Sequence, residues 1–169
     1  MTVQAVLQTT PGEAGINNGL DETYRKDMAE ALSDILGATY KLTVVSHIYH
    51  WNVVGPLFKS LHELTEEHYN DLFAAADEIA ERIRALDALA PVKGANFGNF
   101  MPERGDVKDL KAQDMVEDLI AMHEELVRTM RRAGESAGDA GDLVTEDMLT
   151  GRLTFHEKAL WMLRAIVSD

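Results

Sequence analysis

Cysteine is absent from this chain of 169 residues. Its absence excludes disulfides, thiolate zinc sites and iron–sulfur clusters, and leaves imidazole and carboxylate as the side chains able to hold a metal. Basic residues are scarce, with 16 Lys and Arg against 29 Asp and Glu, and the formal charge of −13 creates a field that repels phosphate and draws in cations. No apolar run reaches the roughly 18 residues needed to cross a membrane, and the N-terminal stretch lacks the basic start and apolar core of a signal peptide. These absences predict a cytoplasmic protein with no membrane span. Proline is limited to 4 residues and no alternating strand pattern occurs, so long helices are expected. With 46% hydrophobic residues, a chain of this length can bury one ordinary core.

Glycine and proline divide the sequence at Gly55-Pro56, from Pro91 to Gly105 and from Gly134 to Gly141. Four helical intervals lie between them. The first, about Asp21 to Val53, carries the stripe Tyr24, Met28, Leu32, Ile35, Thr39, Leu42, Val45 and Tyr49. The second, about Leu57 to Ala88, places Leu61, Leu64, His68, Leu72, Ala75, Ile79, Ile83 and Leu86 on one face, and His62, Glu66, Tyr69, Phe73, Asp77 and Glu81 on another. Met115, Leu119, Met122, Leu126 and Met130 mark a third helix, about Ala112 to Ala133. A fourth, Thr145 to Val167 with Thr145 as N-cap, is marked by Leu149, Leu153, His156, Leu160, Leu163 and Val167. The long link between the second and third lets those helices run parallel, which predicts an all-α, ferritin-like four-helix bundle spanning 21–169 behind a flexible tail of residues 1–20. Phe97, Phe100 and Met101 suggest a short helical turn within the link.

Ligand-type residues concentrate in Ser46-His47-Ile48-Tyr49-His50-Trp51-Asn52, Leu61-His62-Glu63 and Asp77 to Arg82. On a helix, His62 neighbours Glu66 and Asp77 neighbours Glu81, but His62 and Asp77 lie roughly 22 Å apart. Fifteen residues at about 100° each leave the two pairs within roughly 60° of one face. Two antiparallel copies of the helix, related by a two-fold axis near Asn70, would bring His62 of one chain opposite Asp77 and Glu81 of the other, twice per dimer. Tyr69 and Phe73 at the middle of that face fit contact with a second copy. A metal site inside one bundle built on Glu-x-x-His pairs is disfavoured, since no histidine here is preceded three residues earlier by an acid.

The order His50-Trp51-Asn52-Val53-x-Gly55, Phe58, Leu61-His62-Glu63, Asp77 and Glu81-Arg82 resembles the signature of the Dps-like mini-ferritins, the DNA-binding proteins from starved cells. Asp147-Met148-Leu149 and Glu157-Lys158-x-x-Trp161 extend the likeness into the last helix. The resemblance implies that His50 and His62 of one subunit, with Glu66 as a further acid, share two iron ions with Asp77 and Glu81 of its two-fold mate. Glu66 stands where many relatives place aspartate. Also implied are a dodecameric shell, oxidation of Fe(II) by hydrogen peroxide or dioxygen, a ferric oxide mineral core, and electron donation by Trp51. Direct DNA binding is not expected, because residues 1–20 contain no Lys or Arg; DNA compaction, with a nucleoid location, is the alternative.

Other residues have plainer expectations. His50 on its own could merely cap a helix end, and Trp51 could merely pack. His47 falls outside the family's site. His68 and His156 sit on apolar stripes and are expected as satisfied core histidines, His123 as a surface residue, and Trp161, Met162 and the remaining methionines as packing. Glu63, Glu66 and Glu67 are either a solvated run or mineral-nucleating carboxylates. Asp142 and Asp147 match positions where the family lines an entry channel, although Gly151 departs from that pattern.

Overall fold

The computed structural model describes residues 15–90 and 105–168. They form four long helices: α1 (Glu22–Asn52), α2 (Phe58–Ala85), α3 (Ala112–Asp139) and α4 (Leu143–Ile166), with a 3-10 turn at Val107–Asp109 before α3. No strand occurs among the described residues. The anticipated turn at Phe97, Phe100 and Met101 lies outside them.

Helix α1 starts where Asp21 accepts hydrogen bonds from the Thr23 and Tyr24 amides at 2.8 and 3.1 Å. It ends where Gly55 takes φ 96°, a left-handed conformation that glycine adopts without strain, and the Gly55 carbonyl accepts from Phe58 N. The five-residue turn folds α2 back along α1. The expected stripes become the core: all eight apolar-face residues of α2 are buried, as are those of α1 except the partly covered Tyr24.

Hydrogen bonds fix the topology. Tyr49, late in α1, donates to Asp118, early in α3, at 2.5 Å, so these two helices are antiparallel. Because α2 also opposes α1, α2 and α3 run parallel, and the link between them joins opposite ends of the bundle. This is the ferritin-like connectivity.

Two boundaries differ from the sequence expectation. Helix α3 continues past Ala133 to Asp139, because Gly134 and Gly138 serve close packing: a Cβ on Gly138 would stand 3.0 Å from Glu146 Oε1 of α4. The helix stops at Gly141 (φ 73°), where Asp142 N donates to Ala137 O and Gly141 N to Gly138 O, a Schellman motif. The N-cap of α4 is consequently Asp142, whose carboxylate accepts from the Thr145 amide at 3.0 Å, and not Thr145 itself.

Candidate metal centre

The α1–α2 turn brings His50 and His62 face to face, with rings stacked at 3.7 Å between centroids. Each ring is anchored through the other's backbone: His50 Nδ1–H donates to the His62 carbonyl and His62 Nδ1–H to the His50 carbonyl, both at 2.9 Å. The His50 carbonyl, in the last turn of α1, is one of those a helix end leaves without an intrahelical donor. Capping and ligation are therefore compatible. With the proton held at Nδ1 by a carbonyl, Nε2 carries a free lone pair, the tautomer and orientation usual for metal-ligating histidine.

One turn after His62, Glu66 completes the group: the ligand atoms of His50, His62 and Glu66 all lie within 4.8 Å of one another. His50 is buried, His62 partly so, and Glu66 reaches solvent. Two neutral imidazoles and one carboxylate form a donor set suited to Fe(II), with further positions left to be filled from elsewhere. Phe58 covers one side of His62, with ring centroids 5.1 Å apart, and Tyr69 stands edge-on to His50 at 5.3 Å.

His47 is not in this group. It is sandwiched between Tyr69 at 3.8 Å and Trp51 at 4.6 Å, and burial, with a smaller contribution from His50, holds its pKa below the usual range. Trp51 is 64% exposed in the single chain. Tyr69 thus acts as a wall of the site as well as part of the α2 face; its position seven residues after His62, two turns along one helix face, was the available signal.

Asp77 and Glu81 are exposed and remain far along α2 from the histidines of the same chain. Their neighbouring arginines do not neutralise them. Arg82 turns inward to grip Asp142 through two contacts of 2.7 and 2.8 Å and also donates to Thr145, while Arg84 donates to the Ala88 carbonyl. Phe73, between the two pairs, is 66% exposed, so this helix face presents an aromatic centre flanked by ligand-type side chains.

Four expectations are corrected. Asp142 is not free to line a channel: it is buried and held by Arg82, Thr145 and Tyr24. Burial alone would raise its pKa, but the hydrogen bonds from Thr145, Arg82 and Tyr24 outweigh that and hold the carboxylate below its usual range. His123 is fully buried, not on the surface. It pairs with His156 through their Nδ1 atoms at 2.8 Å, yet His68 Nδ1, His123 Nε2 and His156 Nε2 have no hydrogen-bond partner among the described residues, so these core histidines are not fully satisfied there. Trp161 is 70% exposed and packs little within the chain.

Comparison with known proteins agrees with this architecture. The ferritin-like domain model matches residues 29–169. The chain is 39% identical over 126 residues to a low temperature-induced protein of Nostoc, covering 73% of this chain and 69% of that one. It is 32% identical over 155 residues to DNA protection during starvation protein 1 of Deinococcus radiodurans, covering 89% and 73%. Among solved structures, the Dps protein of Vibrio cholerae, described as a member of a superfamily of ferritin-like diiron-carboxylate proteins, aligns with a TM-score of 0.77 at 30% identity over 88% of this chain and 94% of that one. The chain belongs to the ferritin-like family, as a Dps-like mini-ferritin.

Proposed function

We propose that the protein oxidises Fe(II) with hydrogen peroxide at sites shared between two subunits, and stores the ferric product as a mineral inside a hollow dodecameric shell. Iron storage or protection of DNA is the general province of its family; the finer reading rests on the residues. The observation that carries it is the reciprocal anchoring of His50 and His62, which leaves both Nε2 atoms free beside Glu66. Asp77 and Glu81 of the two-fold mate supply the missing acids, in keeping with their lack of ion-pair partners among the described residues.

Iron is the substrate. Two Fe(II) ions give one electron each to one peroxide, which with two protons becomes two molecules of water, so that no hydroxyl radical is released. The carboxylates favour the ferric charge and the imidazoles retain the ferrous ion, a combination that tolerates both states. Dioxygen is the alternative oxidant. The His47 and Tyr69 rings between Trp51 and His50 support a role for Trp51 as electron donor when only one ferrous ion is bound.

The shared site has a decisive test. Shells assembled from His62→Ala subunits alone, or Asp77→Ala subunits alone, lose peroxide-driven Fe(II) oxidation. Co-assembly of the two restores about one quarter of wild-type activity: half of randomly paired dimers are mixed, and each mixed dimer holds one intact site of two. Mixed shells no more active than either parent would refute sharing. The charge of −13 disfavours direct DNA contact, and a gel shift at low salt checks this, since phosphate-driven binding would be strongest there.

A further inference from the structure

Midway along the bundle each helix contributes a buried polar side chain: Ser46 from α1, His68 from α2, His123 from α3 and His156 from α4. The rings of His68 and His123 lie 5.4 Å apart, and those of His123 and His156 4.9 Å. Ser46 stands at the same height, since it is one turn back from His50 and Tyr49, which meet His62 and Asp118. Six buried side-chain polar atoms lack a hydrogen-bond partner among the described residues, and five belong to this layer: Ser46 Oγ, His68 Nδ1, His123 Nε2, Arg152 Nε and His156 Nε2. Unpaired buried polar groups are costly and uncommon, so their concentration at one level calls for a role.

We propose that the His123–His156 pair is an acid-sensitive joint between α3 and α4, which closes the bundle while both rings are neutral and loosens it when either takes up a proton. The single hydrogen bond between the two Nδ1 atoms occupies one proton and one lone pair, so an added proton must go to an Nε2 that is buried and has no acceptor. Among the described residues, the surroundings offer an imidazolium no free counter-charge. On α4, Arg152 is buried beside the pair, with its guanidinium 4.7 Å above the Phe155 ring, and Lys158 places a further cation near His68. From α2 come neutral His68 and Asp71, the latter bound by Arg152 at 2.6 Å. The other nearby carboxylates are engaged as well: Glu157 of α4 by Arg131, Glu124 of α3 by Arg164, and Asp118 of α3 by Tyr49 of α1. Desolvation depresses both rings, aided at His156 by Arg152 and then His68, and at His123 by His156, His68 and then Arg152; His156 falls to about 3 and His123 well below its ordinary value.

The sign follows from linkage. An unfolded histidine titrates near pH 6.5, so below that pH the unfolded chain binds protons that these rings refuse when folded. Stability is complete above pH 6.5 and falls as the pH drops. Between pH 6.5 and 5 few carboxylates titrate, so the slope there reports buried imidazoles. The test is urea unfolding of the assembled protein from pH 7.5 to 5, wild type against H123L/H156L. Each buried ring makes the unfolding equilibrium rise about tenfold for each unit by which the pH falls, so the double variant is expected to lose a dependence approaching a hundredfold per unit. Should that variant not fold, His156→Gln gives the same comparison with about half the effect, in powers of ten. Equal slopes for wild type and variant overturn the proposal.

Discussion

Two groups of histidines lie less than one helix length apart in this bundle and have opposite fates. At the α1–α2 turn, His50 and His62 point their Nδ1 protons at backbone carbonyls and keep Nε2 free at the edge of solvent. In the bundle centre, His123 and His156 spend Nδ1 on each other and enclose Nε2 in the core. The side chain is identical in all four. What differs is what Nδ1 bonds, a backbone carbonyl or the other ring, and whether Nε2 can be reached, and that separates a proposed ligand from a proposed joint.

Removing one member of each pair gives the most direct way to break this contrast. His62→Ala is expected to lower the rate of Fe(II) oxidation about a hundredfold or more, measured by stopped flow, while leaving the urea midpoint little changed. His156→Ala should do the reverse: it leaves a cavity and an unpaired His123 Nδ1, at a cost of about 2–4 kcal/mol in urea unfolding, with iron uptake by the folded fraction preserved. If His156→Ala abolished iron binding without loss of stability, the assignment of the two groups would be wrong.

Asp142→Ala sharpens the comparison from the far end of the bundle, where a buried carboxylate is bound by Arg82, Thr145 and Tyr24. It strands Arg82 and removes the α4 N-cap, and should cost about 3 kcal/mol in the same assay. Phe73→Glu places charge at the centre of the proposed two-fold contact, and should yield smaller species in sedimentation and oxidation reduced in parallel. The smallest effect belongs to Tyr69→Phe, which keeps the ring against His47 and His50. A change within about threefold in oxidation rate is expected, consistent with a wall and not a ligand.

Where periodicity was the signal, the sequence was legible. The stripes of α1 and α2 predicted buried residues almost one for one, because apolar spacing by three and four has few other uses. Glycine misled at Gly134 and Gly138, since a residue that ends helices also allows two of them to approach closely. His123 was misjudged because a polar residue type was weighed above its place three residues before Leu126. For Asp142, likeness to a channel position hid a stronger local demand, the cap of α4 and the charge of Arg82.

By itself, then, the sequence determined the four helices, their ferritin-like order and the clustering of ligand types on α1 and α2, all of which depend on spacing along the chain. Only the tertiary structure decided which nitrogen of each histidine is free, that Asp142 is locked to Arg82 and Tyr24, and that three helices meet through imidazoles at the bundle centre. Those outcomes depend on contacts between residues up to 118 positions apart, whose directions are set by packing and are not encoded in local spacing.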